Sequence, residues 1–237
     1  MGIPISLAII AFAALIHASF QLSVSMLTML SGQTIGANHT QRKLLGLTTN
    51  FVFGAGLITL LLLSGLTFML MSIFGTNTPQ IIWAGACGLL FGVAISVWMF
   101  YYRRGKGTAL WIPRGVAKYL HDRTKATSMN AEAFGLGVSS VIGEILFIIA
   151  PLAIGALAII TLPDIWRLVG LGIYTVISLS SLVIVWMLIG GGHTLGRIQK
   201  WREDNKNFLQ FAAGAGLIAL SLFVYVNEIL GTAVGGM

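Results

Sequence analysis

Six long apolar runs constrain the fold of this 237-residue chain more than any other feature of its sequence. A helix that crosses a bilayer needs about 20 predominantly apolar residues, and each run is at least of that order. The runs are continuously apolar and do not alternate, so they do not fit the strands of a membrane barrel. They predict an all-α integral membrane protein with six transmembrane segments: Ile3–Leu30, Leu47–Phe74, Ile81–Tyr102, Ala133–Leu162, Leu168–Ile189 and Phe208–Leu230.

The overall composition agrees with this class. Hydrophobic residues make up 57% of the chain and charged residues 9%, whereas a soluble domain carries roughly a quarter charged residues. The six runs occupy most of the sequence, so we expect no separate soluble domain. The first run greatly exceeds the core of a signal peptide and has no basic residue before it, so we expect a retained spanning helix.

The fourteen Lys and Arg residues fall unevenly among the predicted loops. All except Arg167 lie in the first, third or fifth loop, and basic loops face the cytoplasm. Both termini are therefore predicted to be extracytoplasmic. The net charge of +7 indicates this topology and anionic lipid headgroups along residues 103–132, and not nucleic acid. From Ala109 to Arg123 that loop predicts a short helix in the inner headgroup layer, with a solvated connector as the alternative.

The sequence also contains weak internal symmetry. A basic-Leu-x-Gly-Leu pattern enters the second segment at Lys43 and the fifth at Arg167, and the small-residue run Ala84–Leu89 aligns with Ala212–Leu217. Three spans per copy force the second copy to insert upside down. We therefore predict two inverted three-helix repeats, residues 1–102 and 133–237, joined by the basic linker 103–132.

One acid, Glu144, stands alone within the fourth segment. A carboxylate near the middle of a membrane helix costs about 2.5–3.5 kcal/mol on insertion scales, so it is seldom kept without a partner or a task. His17, midway along the first segment, is its predicted partner. In inverted-repeat transporters the first helices of the two halves meet at the substrate site. In this chain those helices are the first and fourth segments, which carry His17 and Glu144.

Helical spacing adds neutral polar groups to this pair. Gln21 shares a face with His17, and Ser140 and Pro151 share a face with Glu144. Pro151 cannot donate to the carbonyl of Phe147, which leaves that oxygen for another donor. Further polar groups at depth are Asn50 on the second segment and Tyr174, Ser178 and Ser181 on the fifth. Structural hydrogen bonds within or between helices are the alternative for each hydroxyl group.

Other chemistries find less support in the sequence. Cys87 is the only cysteine, which excludes a dithiol relay, and no protease or hydrolase signature is present. We therefore expect neither an enzyme nor a cofactor. His17 and Glu144 could hold a divalent cation with hydroxyl groups, although they make a sparse ligand set. The glycine runs Gly85–Gly92 and Gly190–Gly192 would permit close helix contact, including that of a homodimer.

Several motifs together suggest a family. The first segment ends in Ser31-Gly32-Gln33-Thr34-Ile35-Gly36, Gly46 and Gly54 open the second, and Phe134-Gly135-Leu136-Gly137 precedes a helix with Pro151. With six helices in two halves, the chain resembles the lysine exporter superfamily of small bacterial transporters. That resemblance implies secondary transport, export, and the bacterial plasma membrane. His17-Ala18-Ser19 and Gly143-Glu144-Ile145 stand where amino-acid exporters of that kind carry Pro-Gly and Asn-Pro-Lys-like motifs, so an amino acid is not implied as the solute.

These observations predict a secondary transporter, working as an exporter of a small polar solute. Protons would couple through His17 and Glu144, and Gln21, Ser140, Asn50 and Tyr174 would bind the solute. Two alternatives stay open. One is a divalent metal carrier, and the other is a membrane protein of an envelope or lipid pathway that transports nothing.

Overall fold

The computed structural model describes residues 2–20, 22–36, 41–76, 78–101, 114–191 and 195–231. These residues are almost entirely helical, and no strand occurs among them, which confirms the all-α class. The helices are α1 Ile3–Ser19, α2 Leu22–Gly36, α3 Gln41–Phe74, α4 Gln80–Phe100, α5 Arg114–Ala126, α6 Asn130–Gly143, α7 Ile145–Ile160, α8 Asp164–Ser178, α9 Ser180–Gly190, α10 Leu195–Asp204 and α11 Lys206–Val224, which runs on into a π-helical turn Tyr225–Leu230.

Three of the described helices are each long and apolar enough to cross a membrane: Arg42–Phe74, Gln80–Phe100 and Lys206–Leu230. The other predicted segments are not single helices. α1 and α2 meet at 46°, α6 and α7 at 80°, and α8 and α9 at 48°, each pair separated by a short break. The described part of the chain thus holds three candidate spans, or up to six if each bent pair is one span. The first, fourth and fifth segments are thus each bent at a break, and their crossing of the membrane as single spans stays a prediction.

Contacts between helix ends define two ends of the bundle. At one end Ser6 lies 3.1 Å from Thr161 (Oγ to Oγ1), and Arg167 lies beside the sulfur of Met71. At the other end Trp186 donates to Thr49 at 3.0 Å, and Gln210 donates to the Val97 carbonyl at 2.7 Å. The described basic residues apart from Arg167 lie on or beside the helix termini and short helices of this second end. This asymmetry is what the positive-inside prediction requires, and the side of the membrane stays a prediction.

The backbones of α3 and α6 approach each other closely at two glycines. Gly54 faces the backbone of Phe134, and Gly137 faces the backbone of Phe51, so that a Cβ at either glycine would collide with the facing main chain. Small residues permit this approach of two helices inside a membrane protein. The contact joins one helix from each predicted half, residues 1–102 and 133–237.

The third and sixth segments also pair across the halves. The hydroxyl of Ser221 on α11 donates to the carbonyl of Cys87 on α4 at 3.1 Å, and the thiol lies 3.6 Å from the carbonyl of Ser221. Trp98 stacks on Phe211 with ring centroids 6.0 Å apart. Cys87 is therefore buried as a packing residue between two helices.

The predicted linker 103–132 contains α5, while residues 103–113 lie outside the description. α5 buries Leu120 and Thr124 against the bundle and exposes Lys118, Tyr119 and Arg123. A short basic helix is therefore present there, and its contact with lipid headgroups stays a prediction. A Cβ added at Gly85, Gly88 or Gly92 of α4 would have no neighbouring atom within 4 Å, so this face of the helix is uncovered. A homodimer that covers it stays a prediction.

Candidate functional site

The candidate site forms where the broken helices meet. α1 ends at Ser19, the next residue Phe20 has an extended backbone, and α2 starts at Leu22. Glu144 is the single residue between α6 and α7, and Leu179 is the single residue between α8 and α9. Phe20, Glu144 and Leu179 all line one small cavity, so the three breaks converge on one place. The other lining residues are His17, Ser23, Val24, Thr59, Val141, Ser178, Ser181 and Leu182.

The carboxylate of Glu144 accepts hydrogen bonds from the N-terminus of α2. The backbone N–H of Leu22 donates to Oε1 at 2.6 Å, and the hydroxyl of Ser23 donates to Oε2 at 3.2 Å. The backbone N–H of Ser23 contributes as well. The first N–H groups of a helix have no partner within it and carry partial positive charge, so a carboxylate is well placed there. The carboxylate thus joins the break of the first segment to the break of the fourth.

Two further groups support this carboxylate. Ser140 lies one turn before Glu144 on α6, and its hydroxyl is 3.1 Å from the Ser23 hydroxyl and 2.8 Å from the Gly137 carbonyl. The positive charge of Arg202 on α10 also acts on the carboxylate. Arg202 is buried and donates to the hydroxyl of Ser25 on α2 at 2.7 Å. α10 is thereby fixed to the helix that Glu144 holds.

His17 has a different partner from the predicted one. Its Nδ1 lies 3.2 Å from the hydroxyl of Tyr174, and both side chains are buried. Among the described residues no hydrogen bond joins His17 to Glu144, although both line the cavity. Glu144 is bound to the α2 N-terminus because the break at Phe20 presents unpaired N–H groups there. The predicted direct pair is thus two neighbouring groups on one cavity.

Three other predicted site residues have varied placements. Pro151 is buried inside α7, seven residues after Glu144, and does not line the cavity. The 80° bend therefore lies at Gly143 and Glu144, not at the proline. Asn50 donates to the Gly46 carbonyl of its own helix at 2.8 Å and is also away from the cavity. Gln21 lies outside the described residues.

Small residues shape the break of the fourth segment. A Cβ at Gly143 would meet Leu22 at 3.1 Å and Leu120 at 3.2 Å, so glycine lets α2 and α5 pack directly against the bend. On the cavity's other side, Phe20 packs on Tyr101 and Phe147 with ring centroids 5.6 Å and 5.9 Å apart. These contacts fix the two half-helices around Glu144.

Ser23, Thr59 and Arg202 were not predicted as site residues. Ser23 lies six residues after His17, which on a continuous helix is a different face, and only the break at Phe20 turns it to the cavity. Thr59 is one hydroxyl residue in a long apolar segment and was not predicted at the site. Its hydroxyl donates to the Ala55 carbonyl of its own helix. Arg202 was interpreted as a loop charge. A buried cation among exposed basic residues has no distinguishing pattern in the sequence.

The cavity is small in this conformation. It has about 20 Å³ of space for the centre of a water molecule, which is enough for about one water. A larger solute therefore needs the surrounding helices to separate. Within the described residues no group of three or more His, Cys, Asp or Glu side chains comes together, so a metal ion would have His17 and Glu144 as its ligands of those types there.

Comparisons of the chain with protein-family models, with curated proteins and with solved structures each find no match.

Proposed function

We propose that this chain is a secondary transporter of a small polar solute, an exporter coupled to protons through Glu144. One observation carries the proposal: three broken segments bring their breaks to a single polar cavity. Non-helical backbone at membrane depth is tolerated only where it is buried in protein or lines a cavity, and discontinuous helices form the substrate sites of many transporters.

The arrangement of the halves is consistent with six spans in two inverted repeats. Corresponding segments contact each other: the first packs on the fourth near Ser6 and Thr161, and the third packs on the sixth near Cys87 and Ser221. Such pairing is compatible with an axis that relates two inverted halves. In this proposal the membrane is the bacterial plasma membrane, the basic end faces the cytoplasm, and both termini lie outside.

The hydrogen bonds of Glu144 suggest how protons would couple to movement. As a carboxylate, Glu144 accepts from Leu22 and Ser23 and holds α2 against the break of the fourth segment. A protonated carboxyl group loses its charge and becomes a donor at one oxygen, so it binds the N–H groups of a helix start less strongly. Proton uptake would thus loosen the first segment from the fourth and let the cavity open. Solute binding would favour one of the two arrangements.

Proton flux in liposomes tests this proposal. The purified protein is reconstituted with a pH-sensitive dye inside, and L-lysine, putrescine, betaine, glucose and dodecylamine are added one at a time under an imposed pH gradient. We expect at least one solute to drive proton movement above that of protein-free liposomes. Glu144→Gln should abolish this movement, because it keeps the side-chain shape and removes the titrating group. A divalent metal panel in the same assay tests the metal alternative.

Ser139→Ala serves as the matched control. Its hydroxyl lies on the outer side of α6 and returns to the Gly135 carbonyl at 2.8 Å, so it should leave the flux unchanged. Flux that persists in Glu144→Gln, or no solute-driven flux in the wild-type protein, would refute the proposal.

A further inference from the structure

A second, apolar cavity opens on the lipid-facing side of the bundle between α3, α8 and α9. We call it the lateral groove. Its volume is about 430 Å³, within the range of about 300–1,000 Å³ that is typical of ligand pockets. Phe53 and Leu57 are well exposed at its surface. Its lining includes Leu60 on α3, Thr175 on α8 and Val183 on α9.

The lateral groove is adjacent to the polar cavity that contains Glu144. Leu179, at the break between α8 and α9, lines both spaces. On α3, Gly56 and Leu60 line the groove and Thr59 lines the polar cavity. A Cβ at Gly56 would lie 3.0 Å from Cδ1 of Leu179, so the absence of a side chain there lets Leu179 fill the boundary. One leucine at a helix break thus stands between an apolar and a polar compartment.

The charges around the polar cavity indicate what would bind there. Glu144 is the one acid among its lining residues, and His17 is the one base. Arg202 acts on Glu144 from α10, while α5 turns Leu120 and Val116 toward the bend and exposes Lys118. No other described element packed against the bend directs an acid or a base into the cavity. An acid at the end of a space the size of a water molecule complements a compact ammonium group.

We propose that the solute is a single-chain amphiphilic amine, with its hydrocarbon chain in the lateral groove and its ammonium group at Glu144. This inference rests on the proposed transport function and replaces its general polar solute with one whose polar group is an ammonium and whose remainder is a hydrocarbon chain. Entry of the ammonium group releases one proton from the Glu144 carboxyl group to water on the open side, and the resulting carboxylate pairs with the cation. Leu179 moves aside as the chain connects the two compartments.

Photolabelling of the full-length protein in nanodiscs tests the inference. The probes are dodecylamine, dodecanol and dodecanoic acid, each with a photoactivatable diazirine in the chain, and peptides are mapped by mass spectrometry. We expect the amine to label residues 49–60 and 175–186 about tenfold more than the alcohol, as expected for a charge-assisted contact. In Glu144→Gln the amine should fall to the level of the alcohol.

Leu60→Trp and Leu61→Trp form a matched pair on α3. Leu60 lines the groove, whereas Leu61 is 56% exposed and does not line it. Filling the groove should lower amine labelling at least about fivefold in Leu60→Trp and leave it unchanged in Leu61→Trp. Val183→Phe fills the same groove from α9 and replaces Leu60→Trp if that variant does not fold.

Equal labelling by amine, alcohol and acid would overturn the inference, as would labelling that Leu60→Trp and Val183→Phe both leave unchanged. Putrescine carries an ammonium group at each end of its four-carbon chain and has no apolar end for the groove, so it separates the two proposals. Glu144-dependent flux with putrescine but no selective labelling would leave the transport proposal standing and refute this one. Selective labelling without proton flux for any amine would support the binding site and refute transport.

Discussion

The glycine contact between α3 and α6 yields the sharpest test of the packing. A Cβ at Gly137 would overlap the carbonyl oxygen of Phe51 and lie 3.0 Å from the backbone nitrogen of Ala55. Main-chain atoms cannot turn away as a side chain can, so Gly137→Ala must push the two helices apart. Overpacking of this kind costs about 1–3 kcal/mol, occasionally more. Alanine recovers up to about 1 kcal/mol through its higher helix propensity.

Gly135 provides the control on the same helix. It is exposed, and a Cβ added there would have no neighbouring atom within 4 Å. Gly135→Ala should therefore raise the free energy of unfolding only by the gain in helix propensity, up to about 1 kcal/mol. Two glycine-to-alanine changes two residues apart are therefore expected to shift stability in opposite directions. A free-energy change of 1 kcal/mol moves the Tm by about 2–4 °C in a chain of this size.

Thermal unfolding in detergent micelles, followed by circular dichroism, measures both effects. We expect the Tm to fall by several degrees in Gly137→Ala and to rise slightly in Gly135→Ala. The first variant should also lose Glu144-dependent flux, because α6 carries Ser140 and ends beside Glu144. Equal melting temperatures for the two variants would refute the close α3–α6 packing.

Two further variants test the surroundings of the site. A Cβ at Gly155 would lie 2.7 Å from the Tyr174 ring, so Gly155→Ala should displace Tyr174 from His17 and lower the Tm, whereas Gly172→Ala, in open space, should not; equal Tm values would contradict this. Arg202→Gln should free α10 from α2 and speed hydrogen exchange across α10 by about tenfold, because a charge-assisted bond is lost. Unchanged exchange would show that Arg202 does not fix α10.

The helical class was predictable from sequence because a continuous apolar run leaves few alternatives in a membrane. The breaks were not. The apolar runs continue on both sides of Glu144 and of Leu179, so hydropathy does not indicate a helix end at either residue. Proline is the residue that usually indicates a kink, but Pro151 lies inside α7. The bend at Gly143 depends on the packing of Leu22 and Leu120 against it, and such tertiary contacts leave no local pattern.

The candidate site was predicted in part. A lone acid and a lone histidine in apolar segments indicated where polar groups would gather, and both line the polar cavity. Their bonding partners could not be predicted, because Glu144 binds backbone N–H groups that exist only once the first segment breaks. Asn50 was predicted at the site only from its depth in the membrane, whereas its side-chain amide donates to the Gly46 carbonyl of its own helix.

In the proposed mechanism the first and fourth segments separate at their breaks during transport. The hydroxyl oxygens of Ser23 and Ser140 lie 3.1 Å apart, so cysteines at these positions, in a Cys87→Ala background, should form a disulfide on oxidation. We measure solute-driven proton flux in liposomes before oxidation, after it, and after reduction. We expect the flux to stop when the disulfide forms and to return when the disulfide is reduced. Undiminished flux through fully cross-linked protein would contradict this mechanism.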